Sequence, residues 1–355
     1  MKKILIINPF GIGDCLFTTP LVHSLKQAYP DSKITYLTNR RSAGVLVNNP
    51  HIENVIIYER DEFDSIKRKS FIKWLRSNLS FIAKLRAGYF DTAFDFSLNA
   101  QYGFFSWFAG IKTRIGYDFK KRGRFLTKKI PLLGYRQKHV IEYYDDLLSF
   151  VGIKALFQKP EIYPSQGDLQ AAEELLLKNG VQKGDLAVGI IPGAGRSWGK
   201  EAYFKHWSAD GFAEVADKVV EKYGAKIIIM GDLKEKEISA SVLHGMKNKA
   251  LDLTGATTLG LFAAILSKLA LVITNDGGPL HMAVAVGAKT VSIFGPVDEH
   301  VYGPYPPSSE HIVVKQDLIC RPCYNNFRLA SCIGERMCLR NINAIDVFTA
   351  VEKLL

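Results

Sequence analysis

Long apolar runs are missing from this chain. No segment approaches the roughly 20 consecutive apolar residues that cross a bilayer as a helix, so a membrane-spanning protein is not expected. The opening MKKILIINPFGIGD has two lysines and an apolar run too short for the core of a signal peptide, with no small-residue cleavage site behind it. It is expected to be a first buried strand of a cytoplasmic protein. Disorder is equally unsupported, because 47% of residues are hydrophobic and 23% charged, the balance of an ordinary globular chain. Cysteine is scarce, five in 355 residues. Cys15 stands apart, while Cys320, Cys323, Cys332 and Cys338 form a C-x2-C-x8-C-x5-C cluster. Four such thiols could bind a structural zinc ion, pair as disulfides or remain free; a cytoplasmic setting disfavours the disulfides.

Acidic residues are short in one half only. Residues 1–165 hold 26 Lys and Arg against 14 Asp and Glu, whereas residues 166–355 hold 20 against 21. The first half thus carries the whole excess of the net +11 charge, which points to an anionic partner for that half: an acidic glycolipid, an anionic membrane surface or nucleic acid. Two segments concentrate the cations. Residues 63–88 read as a basic amphipathic helix in which Lys67, Arg68, Lys73 and Arg76 alternate with Phe71, Ile72, Trp74, Leu75 and Leu79. Such a helix is either a solvated face with its apolar side in the core or a surface that leans on anionic lipid. Residues 112–138 are dense in Lys and Arg with too little interleaved aromatic surface to favour nucleic acid.

What is present is a repeated alternation of apolar strand, glycine turn and helix. Lys3 to Asn8 is followed by Gly11-Ile12-Gly13, a helix from Asp14 and a second strand at Lys33–Leu37. The third glycine of a dinucleotide fingerprint is replaced by Leu16, and the second strand ends without the ribose-binding acid, so the NAD reading is weak. Asp14 remains, at a helix start behind a strand, where the dipole favours a carboxylate; a helix cap would look the same. A Pro- and Gly-richer stretch over residues 152–167 marks the domain junction. Beyond it, Leu186–Ile191 runs into Pro192-Gly193-Ala194-Gly195, and Leu271–Ile273 into Asn275-Asp276-Gly277-Gly278-Pro279 ahead of a helix at Leu280–Val286. Two glycines at a helix start clear the approach to unpaired N–H groups, an arrangement that suits a phosphate, although a plain βαβ turn has the same spacing.

Taken together the motifs resemble glycosyltransferase family 9, the bacterial heptosyltransferases of the lipopolysaccharide inner core. Gly11-Ile12-Gly13-Asp14-Cys15-Leu16-Phe17-Thr18-Thr19-Pro20 is similar to the family's G-x-G-D-x-[LV]-x-[TS]-x-P opening, and Arg114-Ile115-Gly116 to its R-x-G element. Pro192-Gly193-Ala194 resembles its P-G-A loop and Lys205-His206-Trp207 its K-x-W element. Asp276-Gly277-Gly278-Pro279-Leu280-His281 and Phe294-Gly295-Pro296 resemble its D-x-G-x-x-H and [FY]-G-P pair. One departure is that about five more residues than the family pattern separate Ala194 from Lys205, among them Arg196, Ser197, Trp198 and Lys200.

The resemblance implies an α/β fold of GT-B architecture, two Rossmann-like doubly wound parallel-sheet domains facing across a cleft. Residues 1–165 would be the acceptor-binding domain, 166–340 the nucleotide-sugar domain and 341–355 a helix packing back on the first. It implies an inverting, metal-independent transfer of heptose, usually from ADP-heptose, to an acidic lipopolysaccharide acceptor on the inner face of the inner membrane, with no nucleic acid involved. Asp14 would be the general base. Gly193, Lys205, Glu237 (in preference to Glu235), Asp276, Gly277, Gly278 and His281 would bind the donor, with Lys200 a rival to Lys205 for the diphosphate. Gly13, Arg114 and Arg124 would meet the acceptor. No metal is expected in catalysis, and a zinc ion on the four clustered cysteines would be structural. Without the resemblance, Lys205 reads as a surface charge ahead of a helix and His281 as a core histidine. Two rivals stay open: a sugar-nucleotide epimerase of similar fold, which would form product without an acceptor, and a non-catalytic acidic-glycan-binding protein.

Overall fold

The computed structural model describes residues 1–157, 159–195 and 198–355. The chain divides into two compact units, Met1–Tyr135 with Val140–Gln158, and Arg136–His139 with Lys159–Leu355.

The first unit is built on six strands: β1 (Lys3–Ile7), β2 (Lys33–Thr38), β3 (Asn54–Ile57), β4 (Thr92–Asp95), β5 (Thr113–Phe119) and β6 (Lys128–Leu132). All pair in parallel, in the order β3-β2-β1-β4-β5-β6. Parallel sheets carry helices on both faces, so their central strands are apolar along their whole length. Ile4, Leu5, Ile6 and Ile7 are accordingly buried without alternation, and Leu5 and Ile7 pack with Leu37, Phe81, Leu85 and Phe105. The helix expected from Asp14 is two helices, Ile12–Phe17 and Thr19–Ala28, with Thr18 between them and Pro20 in the first turn of the second. The long basic helix is likewise divided into Arg60–Lys69 and Phe71–Ala87. Ser70 is extended at the break, and its side chain caps the second helix by accepting from the Lys73 N–H at 3.3 Å.

The second unit has β7 (Ala187–Ile191), β8 (Lys226–Ile229), β9 (Ala250–Asp252), β10 (Leu271–Asn275), β11 (Lys289–Phe294) and β12 (His311–Lys315). These too are all parallel, ordered β12-β11-β10-β7-β8-β9. A two-strand antiparallel hairpin, Tyr324–Asn325 with Arg328–Leu329, follows. The C-terminal helix, Ala344–Glu352, belongs to the second unit, where Val347, Phe348 and Val351 share a core with Phe212, Val219, Ile227 and Ile293. Its apolar face finds a matching face on the Ala209–Tyr223 helix close at hand. No described helix is long and apolar enough to cross a membrane.

Candidate active site

In an open parallel sheet, ligands gather beyond the carboxyl ends of the two strands where the connections part to opposite sides. In the first unit those strands are β1, which leads to β2, and β4, which leads to β5. The β1 exit carries Asp14. Its loop is fixed by Asn39, whose Nδ2 donates to the carbonyls of Pro9 (2.9 Å) and Phe10 (2.6 Å), and by Ser42 Oγ, which donates to the Phe10 carbonyl at 2.9 Å. Asn8 Nδ2 donates to the Asp14 carbonyl at 2.9 Å, and the Gly11 N–H donates to Asp14 Oδ2 at 3.1 Å. Asp14 therefore caps the short helix and is also half-buried, like Gly13 beside it, so it keeps access to solvent. Burial, with the charge of Asp14 as an added cause, pushes the pKa of Tyr135 and Tyr144 up, so both phenols stay neutral. The adjacent Cys15 is buried and its thiol pushed up to about 11 by burial, so it is a neutral core residue.

The two cations expected at the acceptor differ. Arg114 directs its guanidinium at its own chain: Nε donates to the Phe125 carbonyl at 2.5 Å and Nη1 to the carbonyls of Ile111 and Lys112. Gly116 of the same element runs against β4, where a Cβ would lie 2.4 Å from the Asp95 carbonyl oxygen. The R-x-G element thus holds the β4–β5–β6 edge together, a structural task that sequence alone did not separate from binding. Arg124 is exposed, its guanidinium 4.9 Å from the Phe125 ring. It lines a cavity of about 390 Å³ with Lys67, Trp74, Asn78, Gln101 and Phe104, so the two cationic segments meet there.

In the second unit the diverging strands are β7 and β10. Their exits are the Pro192–Gly195 loop and the Asp276–Gly278 turn, and they touch. A Cβ on Gly277 would lie 2.4 Å from the Ala194 carbonyl oxygen, which is why only glycine fits although its backbone is extended. The Gly278–Val286 helix starts there, with its first N–H groups unpaired by the helix itself. Asn275, at the end of β10, joins two motifs. Its Nδ2 donates to the Pro192 carbonyl at 2.7 Å and its Oδ1 accepts from the Trp207 N–H at 3.1 Å. That contact brings Lys205 to Asp276, with Nζ 2.7 Å from Oδ2 and both side chains almost wholly buried (8% and 4% exposed). Burial of an ammonium is tolerable only beside such a counter-charge. The Trp198 ring lies 4.3 Å from the same Nζ. An ammonium has three donors, so Asp276 need not exhaust it. His281 is buried on the following helix and held down to about 3 by burial and then by Lys205, so it is a neutral imidazole.

The structure places the other residues that the sequence singles out as follows. Lys200 is exposed, whereas Lys205 is buried against Asp276. Glu237 is exposed in the first turn of the Lys236–Gly245 helix, whereas Glu235 is buried at the β7 loop. Its carboxylate accepts from the Gly195 N–H at 2.9 Å and the Asp232 N–H at 2.8 Å, and it fills the space beside Gly193, where a Cβ would lie 2.0 Å from Oε1. The clustered cysteines are free thiols, from the buried Cys338 to the exposed Cys332. Among the described residues no three of their sulfurs lie mutually within 4.8 Å. Sulfurs around a tetrahedral zinc are about 3.8 Å apart, so as placed the four do not form a zinc cage. Arg196 and Ser197 lie outside the described residues. Sequence reasoning missed His139, which belongs to the second unit: its Nε2 lies 3.1 Å from the Gly303 carbonyl, and its ring stacks on Tyr305. Burial holds it down to about 3.

Residues 78–332, which include the second-unit groups but not Asp14 and its loop, match a family model described as glycosyltransferase family 9 (heptosyltransferase). The chain belongs to that family. It is a glycosyltransferase of GT-B architecture. The lipooligosaccharide heptosyltransferase 2 of Campylobacter jejuni is 26% identical to it, the match covering 99% of each chain. Among solved structures it is similar to a family 9 glycosyltransferase from Veillonella parvula (TM-score 0.81, 24% identity, 99% of this chain and 97% of that one). It is also similar to the E. coli ADP-heptose lps heptosyltransferase II (TM-score 0.76, 20% identity, 100% and 98%). At these identities the solved structures speak for the fold, while the family model speaks for glycosyl transfer.

Proposed function

We propose that this family 9 glycosyltransferase moves a heptose from ADP-heptose to an acidic sugar of a lipopolysaccharide inner core, inverting the anomeric centre and using no metal. The observation that carries the reading is the buried Lys205–Asp276 pair set against the Gly277–Gly278 helix start, where the two central strands of the second sheet diverge. A diphosphate fits such a place: an ammonium with donors to spare, helix N–H groups and two residues without side chains. The relative named for ADP-heptose supports the choice of donor.

In the reaction the acceptor hydroxyl oxygen bonds to the anomeric carbon as the bond from that carbon to the diphosphate oxygen breaks. Asp14 takes the hydroxyl proton, and Lys205 with the Gly277–Gly278 amides shares the negative charge that appears on the departing diphosphate. Neutral His281 and Asp276 shape the donor pocket, and Glu235 holds the Pro192–Gly195 loop in place for the nucleotide. Arg124 and Lys67, around an aromatic-walled cavity, provide cations for a carboxylated or phosphorylated acceptor. Beside them the Phe71–Ala87 helix exposes Phe71 (61%), Ile72 (63%), Leu75 (44%) and Leu79 (47%) among its lysines and arginines. That surface supports peripheral contact of a cytoplasmic enzyme with an anionic bilayer; no nucleic acid is involved.

Asp14→Asn tests the mechanism, since it keeps the helix cap and removes the base. Transfer from ADP-heptose should fall by a factor of 10² or more while ADP affinity changes less than twofold; unaltered turnover removes Asp14 from the chemistry. A panel of nucleoside diphosphates tests the donor, with ADP expected to raise the melting temperature more than UDP or GDP.

A further inference from the structure

We infer that the cysteine-bearing strap, residues 318–338, is a positioning element for Lys205, acting through Tyr324 and Arg336. The inference rests on the donor-site reading above. The strap stands on the turn after β11. Arg321 donates to the carbonyls of Gly295 (2.5 Å), Gln316 (3.0 Å) and Val297 (3.1 Å) and pairs with Glu299 at 3.0 Å. The N–H groups of Cys323 and Tyr324 both lie 3.1 Å from the Pro296 carbonyl that accepts them. From that footing the strap reaches the Lys205 segment at two points.

Tyr324 packs its ring on Trp198 with centroids 4.7 Å apart and planes 35° apart. The indole in turn lies 4.3 Å from Lys205 Nζ, so the ammonium is confined by Asp276 and by a ring that Tyr324 supports. Arg336 holds the other side. Its Nη2 donates to the carbonyl of His206, the residue after Lys205, and its guanidinium carbon is 5.6 Å from the ring of Tyr203, two residues before it. Arg336 is itself placed in the left-handed region (φ 64°), and its N–H donates to Cys332 Sγ at 3.2 Å. Neither Tyr324 nor Arg336 belongs to the motifs that suggested the donor site. Both act on the lysine of that site through residues next to it.

A lysine that loses its packing regains rotamer freedom, and ordering it again on a ligand weakens binding by roughly tenfold. ADP titration calorimetry on the full chain reads this. Tyr324→Ala should bind ADP about tenfold more weakly than wild type, and Tyr324→Phe, which keeps the stacked ring, within twofold of wild type. Arg336→Ala tests the second contact independently and should lose about three- to tenfold, with Arg336→Lys recovering part. The deciding measurement is the pair Lys205→Ala and Lys205→Ala/Tyr324→Ala: if Tyr324 acts through the lysine, the two bind ADP equally. Full additivity of the two losses overturns the inference, as does wild-type affinity in Tyr324→Ala and Arg336→Ala when Lys205→Ala is weakened. Wild-type affinity in Lys205→Ala overturns the donor-site reading and this inference with it.

Discussion

Replacing Asp276 by Asn is the sharpest probe of how the second unit is held together. The change is nearly isosteric, but it leaves the Lys205 ammonium, 8% exposed, without the carboxylate now 2.7 Å away. Breaking a buried ion pair by removing one partner costs about 3–5 kcal/mol. The amide still offers an oxygen, so about 3 kcal/mol is the reasonable figure. In a unit of this size each kcal/mol moves the midpoint by about 2–4 °C, which gives a drop of roughly 6–12 °C. The assay is thermal unfolding of the full chain, reading the transition that ADP raises, because two units need not melt together. The companion variant Lys205→Met/Asp276→Leu replaces the pair with apolar side chains of similar bulk. It should recover most of the lost stability while abolishing ADP binding, so that fold and function separate. A shift below about 2 °C in Asp276→Asn would mean that the pair is not buried as described, and the argument for a poised ammonium would go with it.

Two further outcomes follow from the same region. Gly277→Ala must push the turn off the Ala194 carbonyl, since the added methyl would start 2.4 Å from that oxygen; ADP affinity should fall at least tenfold, with the loss mainly in KM for the donor, and an unchanged KM refutes the close approach. His139 and His281 are both held down to about 3, against about 6.5 when unfolded. The unfolded chain takes up their protons below about pH 6.5 and the folded chain does not until near pH 3. The contribution of the two histidines to stability is therefore level above pH 6.5 and declines as pH falls below it, by about 1.4 kcal/mol per histidine per pH unit. Urea unfolding at pH 7 and pH 5 should show this decline, and the His139→Gln/His281→Gln variant should show a shallower one; equal slopes would contradict their burial as neutral rings.

Much of this architecture was legible in the sequence because fully buried parallel strands leave an unmistakable trace. Leu271–Asn275 and Lys3–Ile7 are apolar runs closed by turn residues, and Asp276 and Asp14 stand at their exits. Strands β5 and β6 were hidden for the opposite reason. Arg114, Lys128 and Lys129 lie within them, and β6 is an exposed edge strand containing Pro131, which a central strand would not accept. The break at Ser70 was invisible because the apolar spacing continues through it. The choice between Glu235 and Glu237 turned on where a single turn of 3₁₀ helix, Leu233–Glu235, gives way to the next helix. Periodicity does not resolve boundaries that fine. The fate of the C-terminal helix depended on a partner face over a hundred residues away, on the Ala209–Tyr223 helix.

Tethers stand on either side of the stretch that leads to Lys205. Gly195 is tied by the Glu235 carboxylate and Trp207 by the Asn275 amide, both from elements outside the stretch they bracket. With both ends moored to the sheet, the segment delivers Lys205 from a fixed base, and because Trp198 and Tyr203 lie within it, a change in its length that displaces either ring should loosen the lysine.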